Sequence, residues 1–374
     1  MTRNAPSPED PDSTGKRLRG PCGQFRTGNI ELLRIVCMLL ILAHHMVYHS
    51  SAMRTSVYGN RVLSLFLFAG GQTGVNCFVL ITGYFLAPFK ARRLFATLLE
   101  ALFYSLGLTL LVKWTGWRTD VTDQAVWDSA LIVTRSPYWF VTMYLALTSL
   151  LPALQPMVKS LGRRAHQWVL ALGTLFLCVI PTLTIQRPST SYFHLLLWFF
   201  ELYLLGAYFR KFPNRMTRCM PLQGALFVAM IAFIALFSLW GESHLELFQS
   251  VASRQNFFAD KNTIPQLICS CALFLFFAGL RVPPWKPLLV LSRASFGVYL
   301  IHDHNFLRSL LWVNTLQIWQ AAQREDYWMT ALLAPWLLYL ALAAVDLLRQ
   351  FLLEKPLLQL LDPLFARLDR WIGS

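Results

Sequence analysis

Glu31, Arg34, His44 and His45 lie inside one otherwise apolar stretch, NIELLRIVCMLLILAHHMVYH, from Asn29 to His49. A neutral imidazole suits removal of a hydroxyl proton near neutrality as that hydroxyl attacks a carbonyl. An arginine offers planar, permanently charged donors that match a phosphate. Arg34 and His45 are eleven residues apart. At about 100° per residue they return to within roughly 20° of the same helix face, about 16 Å apart along the axis. That separation suits a long donor with phosphates at one end and a thioester at the other. His44 lies about 80° away from Arg34 around the helix, so His45 is the favoured histidine. Glu31, one turn before Arg34, is placed to pair with it. The competing reading has Arg34 snorkelling to the headgroups and the histidines resting at the opposite interface.

The element that carries these residues belongs to a membrane. The chain has 374 residues, 56% of them apolar and 14% charged, with a mean hydropathy of +0.47. A soluble chain is usually about 25% charged, so the composition predicts an all-α integral membrane protein rather than a nucleic-acid binder, despite a net charge of +14. Ten apolar segments are long enough to span: roughly 30–48, 62–87, 95–112, 137–155, 166–185, 191–209, 219–240, 264–280, 288–312 and 327–352. Connections 88–94, 156–165, 210–218 and 281–287 hold 12 Lys/Arg and no Asp/Glu; the opposite set holds 9 Lys/Arg and 8 Asp/Glu in more than twice the length. The positive-inside rule therefore puts both termini in the cytoplasm. Basic pairs such as Arg92-Arg93 and Arg210-Lys211 are also suited to the phosphates of a cytoplasmic ligand.

Residues 1–28 are rich in Pro, Ser and charge without an apolar run, which predicts a disordered cytoplasmic tail rather than a signal peptide. Residues 29–355 form the expected ten-span domain and 356–374 a cytoplasmic C-terminal tail. Of seven cysteines only Cys269 and Cys271 are close in sequence, without zinc-site spacing. No metal is expected.

Several motifs, in order, resemble the acyltransferase-3 family of multi-spanning membrane O-acyltransferases, which modify bacterial cell-surface carbohydrates. Arg34 followed by His45 looks like the family's arginine and catalytic histidine. GVNCFVLITGYFL, from Gly74, precedes the basic stretch at Lys90, Arg92 and Arg93. YWFVTMYLALTSLLPAL from Tyr138, ELYLLGAYFRKF from Glu201, SRASFGVYLIHDHNFLRSLLW from Ser292 and DLLRQFLLEKP from Asp346 resemble later spans. Many members have Asp where this chain has Asn76 and Ser where it has Thr82. The His-Asp-Asn of one branch reads here His302-Asp303-His304-Asn305. The resemblance implies a multi-pass protein of the bacterial cytoplasmic (inner) membrane, in stand-alone form. It would transfer an acyl group, usually acetyl, from a cytoplasmic acyl-CoA co-substrate to a saccharide hydroxyl, with no bound cofactor.

In that frame His45, Arg34 and Glu31 are the catalytic candidates, and Arg34, Lys90, Arg92 and Arg93 the donor-binding ones. His302, Tyr299 and Asn76 are candidates for the acceptor cavity. Tyr299 precedes His302 by three residues, on the same side of a helix. Glu201 and Asp346 either orient a histidine or arginine or pair for packing. Gly71, Gly74 and Gly83 are read as close-packing positions. A secondary transporter is the alternative class, although the two halves lack the paired broken helices common in transporters.

Overall fold

A computed structural model describes residues 28–135, 137–184, 191–244 and 256–373. The expected N-terminal tail, with Cys22, lies almost wholly outside these residues. Among the described residues the chain is helical, without strands. The helices that build the site are α1 (Gly28–His49), α2 (Gly71–Phe85), α3 (Ala91–Thr115), α4 (Tyr192–Lys211), α5 (Ile264–Gly279), α6 (Ser295–His302), α7 (Tyr327–Arg349) and α8 (Lys355–Gly373).

Eight helices among the described residues are long and apolar enough to cross a membrane. A ninth candidate, the segment read as 137–155, is a pair, Trp139–Ser149 and Leu151–Ser160, bent by 63°. The segment read as 288–312 is not one helix. It divides into Lys286–Arg293, α6 and a short π-helical turn at Leu310–Thr315. The break after His302 leaves Asp303 at a helix end beside α1. Large apolar side chains such as Phe176, Val228, Leu337 and Leu348 are exposed, as expected for a surface that meets lipid instead of water.

α1 is the central helix, packed against α2, α5, α6 and α7. Leu33, Cys37, Leu42, Met46 and Val47 on it are inaccessible to solvent. Glycines set its distance from α2. A Cβ on Gly74 would stand 2.5 Å from the Cys37 carbonyl oxygen, and one on Gly71 would stand 2.3 Å from the His44 ring. α2 meets α4 through two glycines facing opposite ways. A Cβ on Gly83 would lie 2.0 Å from the Tyr203 carbonyl oxygen, and one on Gly206 would lie 2.3 Å from that of Leu80. Because the obstacle is backbone, a side chain there must push the helices apart. Gly83→Ala is expected to cost about 1–3 kcal/mol, the usual range for overpacking, measurable as a lowered unfolding midpoint in detergent. An unchanged midpoint would show that the two helices can separate freely.

The expected C-terminal tail lies almost wholly within α8. Leu358, Leu361, Phe365 and Leu368 recur at helical spacing and pack against Phe89, Ala91, Phe95 and Leu99 at the start of α3. Asp362 pairs with Arg92 at 2.8 Å, and Asp369 accepts from the Ala91 backbone N–H at 2.8 Å.

Candidate active site

A cavity of about 840 Å³ runs through the bundle, and both Arg34 and His45 line it. Its walls come from α1, α2, α3, α6, the Trp139–Ser149 helix and the α7–α8 junction. The eleven-residue register read from α1 therefore delivers the two side chains to one space. His44 also borders the cavity, but its Nδ1 donates to the Phe68 carbonyl at 2.7 Å and its ring stacks on Phe68. That leaves it fixed by packing.

The end of the cavity around Arg34 is charged. Glu31 lies 3.9 Å from the Arg34 Nε and accepts a hydrogen bond from the Ser292 hydroxyl at 2.6 Å. Arg92, Arg93, Arg293 and Lys355 also line the space. Lys90 does not. It lies outside, 3.7 Å from Asp369. Of the expected donor-binding cluster, the structure thus brings Arg34, Arg92 and Arg93 together.

At the other end, His45 meets α6. Its Nδ1 is 2.9 Å from the His302 Nε2, and the His302 Nδ1 is 2.6 Å from the Val298 carbonyl oxygen. The carbonyl can only accept, so the His302 proton sits on Nδ1 and its Nε2 offers a lone pair. His45 must then donate from Nδ1, which leaves its own Nε2 unprotonated. Asp303 Oδ1 stands 3.8 Å from the His45 Nδ1. Tyr299 lines the cavity, and its buried hydroxyl has no hydrogen-bond partner among the described residues.

Asn76, expected on the acceptor wall, is not on the cavity wall. It is fully buried, donates to the Lys261 carbonyl and the Ser270 hydroxyl, and accepts from the Trp198 indole. With donors and acceptor engaged, it holds α2 against α4 and α5. His302 is likewise fully buried and reaches the cavity only through His45. His304, the histidine that departs from the family pattern, turns away to Ser105 and Thr109. Asp346 touches no histidine; it accepts from Tyr104, Arg349 and Gln350. Glu201 accepts from the Thr174 hydroxyl. Asp303, named in the sequence only within the His302-Asp303-His304-Asn305 run, also stands 3.8 Å from the Arg308 guanidinium, and His49 is not among the candidates the sequence offers. His49 had a readable signal, since it follows His45 by one helical turn.

A family profile described as an acyltransferase domain matches residues 27–349. The chain belongs to this acyltransferase family, acyltransferase-3, and is a membrane acyltransferase. No curated protein and no solved structure gives a significant match.

Proposed function

We propose that the protein moves an acyl group, acetyl in the simplest case, from cytoplasmic acyl-CoA to a hydroxyl of a cell-surface or lipid-linked saccharide. In this reading it is a ten-span protein of a bacterial inner membrane, residues 29–355 form the catalytic domain, and both termini are cytoplasmic. Arg34, steered by Glu31, anchors the donor phosphates together with Arg92 and Arg93, while Lys90 attracts them from outside the cavity. His45 is the general base.

The observation that carries the proposal is the single cavity bordered by Arg34 and His45, with the hydrogen-bond chain from Val298 through His302 leaving the His45 Nε2 free to take a proton. In the transfer the acceptor O–H proton passes to that nitrogen as the oxygen attacks the thioester carbonyl. The C–S bond then breaks and the departing thiolate takes the proton back. Asp303 offsets the transient imidazolium charge, His302 positions the ring, and the Tyr299 hydroxyl is available to the acceptor.

Purified protein given acyl-labelled acetyl-CoA and candidate glycans is expected to move label to the glycan. Solute movement without label transfer would overturn the proposal in favour of a carrier. A finer test concerns Asp362, which borders the cavity and occupies Arg92. It competes with donor phosphates for that guanidinium, so Asp362→Ala is expected to lower the KM for acyl-CoA by about 2- to 5-fold, the scale of a partly exposed ion pair. A raised KM would place Arg92 outside donor binding.

A further inference from the structure

At the far end of the cavity, one cluster contains a group that the transfer does not use. His49 Nε2 stands 3.3 Å from Asp303 Oδ1, and His45 Nδ1 stands 3.8 Å from the same oxygen. Two imidazoles and a carboxylate here offer ligand atoms that all lie within 4.8 Å of one another. A zinc-type ion binds such atoms at about 2.0–2.2 Å in tetrahedral array, which sets neighbouring ligands roughly 3.3–3.6 Å apart. The His49–Asp303 distance falls within that spacing, and the His45–Asp303 distance exceeds it by about 0.2 Å. His45 and His49 are one turn apart on the rigid central helix, and Asp303 sits at the break that ends α6. The His49 Nε2 is buried and makes no hydrogen bond of good geometry among the described residues.

We propose that His45, His49 and Asp303 form a reversible site for a divalent transition-metal ion such as Zn²⁺, and that its occupation stops acyl transfer. The second half rests on His45 acting as the base. A metal bound at the His45 Nδ1 displaces the proton donated to His302. A neutral imidazole carries one N–H, so that proton must then be on Nε2, the nitrogen needed to accept the proton of the acceptor hydroxyl. Imidazole nitrogen suits Zn²⁺, Co²⁺ and Cu²⁺, whereas Mg²⁺ prefers an all-oxygen shell with water and is expected to have no effect.

The test uses the full-length protein in detergent, freed of metal by a chelator and titrated with Co²⁺. The expected result is one equivalent bound, with the intense visible absorption of a low-coordinate Co²⁺ ion. His49→Ala should lose that signal, and His49→Cys should regain it with an added sulfur-to-cobalt band, which separates ligand loss from misfolding. Saturating Zn²⁺ should lower wild-type transfer by about 10²-fold or more, the scale of a lost general base. Chelator should reverse the loss, and His49→Ala should be insensitive to Zn²⁺. No Co²⁺ signal, or an equal signal in wild type and His49→Ala, overturns the site. Binding that depends on His49 but leaves transfer untouched keeps the metal site, and overturns both its silencing role and the assignment of His45 as base.

Discussion

His45→Ala is expected to lower acyl transfer by about 10²–10⁴-fold, the usual contribution of a positioned general base, while the protein still inserts and folds. The expectation follows from how little else the His45 ring does. Its Nδ1 contacts are His302 and Asp303, and its remaining nitrogen is left for the cavity. The loss should fall on kcat, because the donor phosphates are bound at the opposite end by Arg34 and its neighbours. His302→Phe probes the same chain from behind. It removes the acceptor that holds the His45 proton on Nδ1, so kcat should fall with the KM for acyl-CoA unchanged. Initial rates with labelled donor, at matched detergent-extracted protein, provide the check. Full activity in His45→Ala would remove the catalytic assignment; an unchanged kcat in His302→Phe would remove the tautomer argument alone.

The second large effect is on stability. Arg349 is buried, and its guanidinium reaches Asp346 at 2.8 Å, Glu100 at 3.0 Å and Glu354 at 2.8 Å. Asp346 is wholly inaccessible and also accepts from the Tyr104 hydroxyl. The space it fills exists because residue 297 is glycine, where a Cβ would stand 2.1 Å from the carboxyl carbon. Arg349→Ala strands these acids without their cation. Breaking a buried pair from one side costs about 3–5 kcal/mol, a large share of the roughly 5–15 kcal/mol that holds a typical fold. Low yield and a strongly reduced unfolding midpoint in detergent are expected. Asp346→Asn should be milder, since an amide keeps hydrogen-bonding capacity toward Tyr104 and Gln350. Wild-type stability of Arg349→Ala would show that solvent reaches the cluster.

What could be read from the sequence was local. The register of Arg34 and His45 depends only on the period of one helix, and both line one cavity. The preference for His45 over His44 follows from the same period, and the structure gives His44 to Phe68. The glycines at 71, 74 and 83 were read correctly as packing positions, because an apolar helix without a side chain at such intervals invites a neighbour's backbone. Pairing across the chain was not legible. Asp303 reaches His45 only because the segment 288–312 breaks, and nothing in its apolar composition announces where. Asn76 is expected on the acceptor wall from its position, but its amide is engaged by buried partners from two other helices and the turn at Lys261. The residues after 355 lie beyond the last apolar segment, and the sequence reading makes them a cytoplasmic C-terminal tail. The spacing of Leu358, Leu361, Phe365 and Leu368 nevertheless carried the helix.

The two histidines that share a hydrogen bond stand 257 positions apart, one on the opening helix and one close to the end of the matched region. A ribosome must therefore finish most of the polypeptide before the pair can meet. Under the proposed mechanism, shortened translation products ending ahead of residue 302 lack the partner of His45 and are expected to transfer acyl groups poorly even when lodged in the bilayer.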